Sequence, residues 1–208
     1  MGGRLTAPHH RVGVLGGTFD PLHLGHLIIA EEARAALGLD VVLFVPARRS
    51  PLKDTAPIAT DDQRAAMIER AIGGAPAFRL SRVDLDRPGP SYTVETLALV
   101  QAEAGPAAAL WFILGADALA DLPAWRDPAA ILDAARLAVF DRPGHIADLA
   151  ALAAQIPGIR GRIDAIPAPL IGISATDLRR RAAAGRPIRY QVPASVEAYI
   201  SAHRLYRR

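Results

Sequence analysis

Four short runs in this chain carry no polar side chain: Val12-Gly13-Val14-Leu15, Val41 to Val45, Leu110 to Leu114 and Leu137 to Phe140. A half-exposed strand would alternate apolar and polar residues. A run that is apolar at every position must be covered on both faces, which is the condition of a parallel sheet between two helical layers. Glycine or proline closes three of the runs, at Gly16-Gly17, Pro46 and Gly115, so each reads as a strand that stops sharply.

The segments between the runs read as helices. Leu27, Ile28, Ala30, Ala33 and Leu37 recur at helical spacing from about Leu24, and Gly38 stops that helix. Thr60 and Gln63 have capping-box spacing, Asp61 and Asp62 suit a first turn, and Met67, Ile68 and Ile72 line the apolar side. A short strand is expected at Phe78 to Leu80. Ser91-Tyr92-Thr93 leads into a helix that ends at Gly105, and short helices are expected around Leu119 and Ile131. Further on, 146–155 reads as helix, Ile163 to Ile166 as strand, and Ala175 to Ala184 as helix. Pro193 to His203 reads as the last helix, with Pro193 in its first turn. The alternation predicts a doubly wound parallel α/β sheet with a small helical extension at the C-terminus. Residues 1–10 read as a loose tail and 11–208 as a single domain, a length that can bury a core without staples.

Composition narrows the chemistry. The 208 residues include no cysteine, which removes disulfides, thiolate metal sites and a cysteine nucleophile. No apolar stretch suits a signal peptide or a membrane span, so a cytoplasmic protein is expected, with no membrane partner. The net charge is +3, but arginine is spread along the chain rather than gathered into a broad stripe. No nucleic-acid partner is expected; phosphorylated small molecules suit the charge. Self-association is compatible with the sequence.

In a sheet of this kind, ligands sit beyond the carboxyl ends of the strands. Gly16-Gly17-Thr18-Phe19-Asp20-Pro21-Leu22-His23-Leu24-Gly25-His26 lies there, between the first strand and the first helix. Gly17 allows close backbone approach, and the helix N-terminus directs amides and a positive dipole end at the same spot. His23 and His26, three apart, can face one ligand and donate to phosphate oxygens. There is no Gly-Lys-Ser/Thr, so this is not a P-loop, and the glycines do not give Gly-x-Gly-x-x-Gly. A zinc site would want a third ligand beside the two histidines. A second cradle is expected at Ile173-Ser174-Ala175-Thr176-Asp177-Leu178-Arg179: Ser174 and Thr176 precede a helix, and Arg179 can fold back to its N-terminus.

These two segments resemble the paired signatures of the T/HxGH nucleotidyltransferase superfamily. Pro90-Ser91-Tyr92-Thr93-Val94-Glu95-Thr96-Leu97, Leu114-Gly115-Ala116-Asp117 followed by Leu122-Pro123-Ala124-Trp125, and the C-terminal Pro193, Tyr199-Ile200 and Leu205-Tyr206 are similar to segments of bacterial nicotinate-nucleotide adenylyltransferases. The resemblance covers nearly the whole chain. It implies a Rossmann-like nucleotidyltransferase fold and transfer of AMP from ATP to nicotinate mononucleotide, giving deamido-NAD and pyrophosphate. It implies catalytic roles for His23, His26 and Lys53. ATP is expected at Gly16, Gly17, Thr18, Phe19, Gly25, Gly115, Asp117, Ile173, Ser174, Thr176 and Arg179. The mononucleotide is expected at Tyr92, Thr93 and Trp125. Read from the residues alone, Asp117 either caps the helix after Gly115 or orients adenosine, and Trp125 either plugs the core or offers its face to a pyridine ring.

One segment departs from the family pattern. Ser50-Pro51-Leu52-Lys53 stands where many members have Pro-Pro-His-Lys, so Leu52 replaces a histidine, while Lys53, the chain's only lysine, is retained. Mg²⁺ is expected to arrive with ATP, with no metal held by the protein alone. The competing readings are a phosphopantetheine or nicotinamide-mononucleotide adenylyltransferase, a cytidylyltransferase, and a non-catalytic nucleotide sensor that kept the fold.

Overall fold

All four apolar runs become neighbouring strands of one sheet. The computed structural model describes residues 10–51, 55–140, 148–169 and 171–207. Its strands are β1 (Arg11–Gly17), β2 (Val41–Pro46), β3 (Phe78–Leu80), β4 (Ala109–Gly115), β5 (Arg136–Phe140) and β6 (Ile163–Ile166). They form a six-stranded sheet in the order β3-β2-β1-β4-β5-β6, and every pairing is parallel. The helices among the described residues are α1 (Leu24–Leu37), α2 (Asp61–Ile72), α3 (Thr93–Ala104), α4 (Ala116–Ala120), α5 (Pro128–Ala134), α6 (Leu149–Gln155), α7 (Ala175–Ala183) and α8 (Ala194–Ala202).

Both faces of the sheet are covered, as the unbroken apolar runs require. Along β4, Leu110, Phe112 and Leu114 join one core with Val12, Val14, Leu43, Leu97 from α3 and Ile131 from α5. Trp111 and Ile113 point the other way, into a core with Val42, Phe44, Ala30 and Ala33 from α1 and Ile68 from α2. A third cluster joins Met67 of α2 to Leu178 of α7 and to Val196 and Ile200 of α8, and this fixes the C-terminal helical extension to the main body.

Local signals placed the helix ends well. Thr60 caps α2 and its hydroxyl accepts from the Gln63 N–H, with the reciprocal Gln63 bond also present. Gly38 ends α1 in the left-handed conformation, at φ 58°, that favours glycine. Pro193 sits one step earlier than expected, as the N-cap of α8, because helical backbone begins at Ala194. Most of the expected tail lies outside the described residues; His10 is not loose, since its N–H donates to the Asp40 carboxylate at 2.8 Å. Residues 146 and 147, expected in the helix now seen as α6, also lie outside. No described helix is long and apolar enough to cross a membrane.

The chain runs from β1 to β2 and β3 on one side, then returns to add β4, β5 and β6 on the other. This reversal separates the loops after β1 and β4 and opens a crevice at their carboxyl ends. At the opposite end, the strand starts are tied together. The Asp164 carboxylate accepts from Trp111 Nε1 at 2.9 Å and from two Arg136 nitrogens at 2.7 and 2.8 Å. The Arg136 guanidinium holds the Asp164 carboxyl below its usual range. The stabilisation is therefore full above about pH 4 and is lost as pH falls through the lower folded-state value. Asp164→Asn should cost about 1 kcal/mol at pH 7, a modest amount because the pair is partly exposed. Urea unfolding of both forms at neutral and acid pH should show the gap closing toward pH 3.

Candidate active site

The loop after β1 is built around buried charge. Asp20 is 2% exposed, and its carboxylate accepts from the N–H groups of Ile58 and Ala59 at 2.8 and 3.2 Å and from the Tyr206 hydroxyl at 2.7 Å. Its carbonyl accepts from Arg179 at 2.7 Å. Arg64 is 0% exposed, and one of its terminal nitrogens donates to the carbonyls of Thr18 and Ala47, both at 2.7 Å, while the other donates to Asp61. The ends of β1 and β2 are thus held by one guanidinium. Burial, with the Asp20 carboxylate adding to it, pushes the Tyr206 phenol far above its usual range, so it stays a donor at any physiological pH.

This frame sets the histidines. His23 is the N-cap of α1, and the His23 N–H donates to His26 Nδ1 at 3.2 Å. Nδ1 as acceptor makes Nε2–H the donor of a neutral His26. The two rings stack with centroids 3.7 Å apart, and Phe19 meets His26 edge-on at 4.9 Å. A Cβ at Gly25 would stand 3.1 Å from the His23 ring, so glycine is what lets that ring lie against the helix. The helix end offers fewer amides than expected. The Leu24 N–H is taken by the Gln191 carbonyl and the His26 N–H by the His23 carbonyl.

Two adjoining lobes open at the crevice, of about 410 and 560 Å³. The smaller is lined by His23, Gly25, His26, Gly115, Asp117 and Ile173. The larger is lined by Tyr92, Thr93, Ser91, Asp84 and Arg126. Gly16, Gly17, Thr18, Phe112 and Trp125 belong to both. The shared wall is bare backbone at its two glycines, and at Gly17 space is tight. A Cβ on Gly16 would lie 3.4 Å from the Phe112 ring, and one on Gly17 would lie 3.1 Å from Phe19. Trp125 meets Phe112 edge-on at 6.0 Å, and its Nε1–H is buried with no hydrogen-bond partner among the described residues.

The structure thus gathers most of the residues expected to bind ATP or the mononucleotide. Phe19 is the exception in side-chain terms. It is buried in the core beside Phe44, so it supports the loop from below and faces neither lobe. Ser174 caps α7 by accepting from the Asp177 N–H at 3.2 Å, as its spacing predicted. Arg179 does fold back, donating to Thr176 Oγ1 at 3.3 Å and to the Asp20 carbonyl. Ile173 lines the smaller lobe, while Ser174, Thr176 and Arg179 are not part of the lining of either lobe. Asp117 is the second residue of α4, whose N-cap is Gly115, so the capping alternative for Asp117 falls. Arg180 and Arg181 are both paired with Asp177, so the arginine run is not an open basic patch. Lys53 and Leu52 lie outside the described residues.

Sequence reading missed Asp20, Arg64 and Tyr206 as supports. Arg64 carried a signal: it precedes Ile68 and Ile72 by one and two steps of four, which places a charge on the apolar face of α2. Asp20 and Tyr206 carried none, because their partners are far away in sequence. Tyr206→Phe should keep the packing and lose one buried bond to a charged acceptor, costing about 1.5–3 kcal/mol of stability. Chemical denaturation should detect it, while a full-length chain as stable as the parent would remove Tyr206 from this frame.

Comparison with known proteins agrees with this architecture. The cytidylyltransferase-like family matches residues 14–181. A nicotinate-nucleotide adenylyltransferase of Roseiflexus sp. strain RS-1 is 53% identical over 196 residues, covering 94% of this chain and 98% of its own. A protein of the same name from Thermomicrobium roseum is 49% identical over 197 residues, covering 95% and 92%. Among solved structures, the Plasmodium falciparum nicotinic acid mononucleotide adenylyltransferase complexed with NaAD superposes with a TM-score of 0.74. It does so at 18% identity, over 95% of this chain and 98% of that one, a likeness of fold. The chain belongs to the nicotinate-nucleotide adenylyltransferase family.

Proposed function

We propose that the chain transfers AMP from ATP to nicotinate mononucleotide, giving deamido-NAD and pyrophosphate. The observation that carries this reading is the pair of lobes meeting at Gly16, Gly17 and Thr18. A donor nucleotide in the smaller lobe and an acceptor mononucleotide in the larger would bring their phosphates together at that backbone wall. The acceptor's 5′-phosphate oxygen attacks the α-phosphorus in line, and pyrophosphate leaves without a covalent enzyme intermediate. The attacking phosphate is already anionic, so no general base is assigned.

Catalysis then rests on position and on charge stabilisation. His26, with Nε2–H as donor, and His23 stabilise the α-phosphate together with Thr18, and Lys53 is assigned to the same charge by its place in the family motif. Ser174, Thr176 and Arg179 hold the leaving pyrophosphate. Arg179 has five N–H donors and uses two on Asp20 and Thr176, so it retains donors for phosphate. Asp117 orients adenosine. Trp125 offers its face to the pyridinium ring, and Thr93, the first residue of α3, directs its first-turn amide to the ring carboxylate beside Tyr92, whose own N–H donates to the Pro90 carbonyl at 3.2 Å. The buried, unpartnered indole N–H favours this reading of Trp125 over a simple core plug, since packing alone would have met that donor.

Among the described residues no three His, Asp or Glu side chains gather as a metal cage. The polar lining of His23, His26 and Asp117 suits a Mg²⁺ that keeps phosphate and water as its main ligands. When bound, the cation would neutralise triphosphate charge.

Incubation with ATP-Mg²⁺ and nicotinate mononucleotide, nicotinamide mononucleotide or phosphopantetheine, with products identified by mass, should give mainly deamido-NAD. Dephospho-coenzyme A, or no pyrophosphate from any acceptor, would overturn the reading. His26→Ala should lower kcat about 100-fold with ATP affinity nearly kept. Trp125→Ala should raise the mononucleotide KM about ten-fold, a loss of about 1.4 kcal/mol. An effect on ATP alone would displace the ring from Trp125.

A further inference from the structure

Two charged side chains, Asp84 and Arg126, stand in the described lining of the larger lobe. Asp84 is 3% exposed and cannot leave: its carboxylate accepts from Thr96 Oγ1 at 2.9 Å and from Arg87 Nε at 3.0 Å. Arg87 also donates to Glu95 at 2.9 Å, and Arg126 donates to the other Glu95 oxygen at 2.8 Å. The Arg126 guanidinium lies over the Tyr92 ring, 4.7 Å from its centroid. Thr96 Oγ1 lies 3.1 Å from the Tyr92 carbonyl. The contacts close a ring, from Tyr92 through Arg126, Glu95, Arg87, Asp84 and Thr96 back to Tyr92.

The ring has an electrostatic consequence for whatever enters the lobe. Asp84 puts a carboxylate in the wall that is already paired with Arg87 at 3.0 Å, so it offers an anionic ligand no attraction. Arg87 and Thr96 already hold its oxygens. Arg126 is the lining cation among the described residues, it neighbours Trp125 in sequence, and Tyr92 beneath it fixes the plane of its guanidinium. One N–H serves Glu95, so others remain to meet a carboxylate. A guanidinium held in place by Glu95 and Tyr92, its side chain 59% exposed, recognises a carboxylate and gains less from a neutral carboxamide.

We propose that Arg126 is a specificity-determining residue, whose guanidinium makes the lobe favour an acceptor ring bearing a carboxylate over one bearing a carboxamide. This rests on the assignment of the larger lobe to the mononucleotide. The two mononucleotides share ribose and phosphate, so the ratio of their kcat/KM values isolates the ring substituent.

The test measures that ratio, nicotinate over nicotinamide mononucleotide, for the full chain and for Arg126→Gln and Arg126→Lys. The parent should favour nicotinate. Arg126→Gln should lower the ratio about ten-fold, with the loss falling on nicotinate, and Arg126→Lys should recover part of it as a point charge without the fork. Raising salt from about 50 to about 500 mM should shrink the parent's ratio and leave that of Arg126→Gln nearly unmoved. A ratio in Arg126→Gln within two-fold of the parent overturns the proposal. So does an equal loss on both acceptors, which would mark a slackened Tyr92 wall. A parent that uses both acceptors equally also overturns it. A parent that adenylylates neither mononucleotide overturns the functional reading instead.

Discussion

A charged residue without solvent access is costly unless its surroundings match it, and Arg64 has none. It lies on the apolar face of α2 and reaches the Thr18 and Ala47 carbonyls just past the ends of β1 and β2. Those carbonyls have no further strand to pair with. Arg64 satisfies them both, and in doing so fixes how far apart the two loops stand. The Ala47 N–H donates to the Gly17 carbonyl at 2.9 Å, so the same two loops are joined twice. Asp20, one turn further on, does the complementary job with a negative charge: it collects the Ile58 and Ala59 amides and the Tyr206 hydroxyl. One cation and one anion therefore hold the loop that bears the histidines, and neither needs to touch a substrate to matter.

The sheet order explains why this loop must be held from so many sides. At the point where connections diverge, between β1 and β4, no crossover chain closes the end of the sheet. The opening gives room for two ligands but removes the neighbours that would normally brace a loop. The bracing comes instead from the C-terminal extension. Arg179 on α7 reaches the Asp20 carbonyl, the Gln191 carbonyl takes the Leu24 N–H, and Tyr206 reaches the Asp20 carboxylate. What looked from sequence like an appendage is a brace for the loop that bears the histidines.

The legible parts of the sequence were those set by local rules. Unbroken apolar runs gave both-face burial, Thr60 and Gln63 gave the start of α2, and Ser174 gave the start of α7, because partners three residues apart or a repeat of the same kind decide each. The paired motifs brought the crevice residues together through family resemblance. Phe19 shows the limit. Inside a phosphate-handling motif it looks like a ligand contact, yet its φ of 49° turns it inward onto Phe44 and under Gly17. Asp20 shows another limit: its partners lie 38, 39 and 186 residues away, and no periodicity encodes such distances. Glu95, Arg87 and Arg126 likewise read as ordinary surface charges until the turn before α3 and the turn before α5 are placed side by side.

The glycine wall ties these observations to rate. Two phosphates must approach within bonding distance, and each carries negative charge that resists it. A wall of side chains would hold them apart; a wall of backbone at Gly16 and Gly17 lets both come close. Backbone without side chains is also the most easily deformed kind of wall, since glycine loses the most freedom on ordering. The cost of that choice is met from outside the wall, by Phe19 packed tightly against the face of Gly17, by Phe112 beside Gly16, and by Arg64 on the carbonyl that follows. In the transfer proposed above, which uses neither a general base nor a covalent intermediate, alignment is most of what the protein can contribute. On that proposal, Arg64 and Asp20 bear on turnover through the spacing they impose on the loops after β1 and β2.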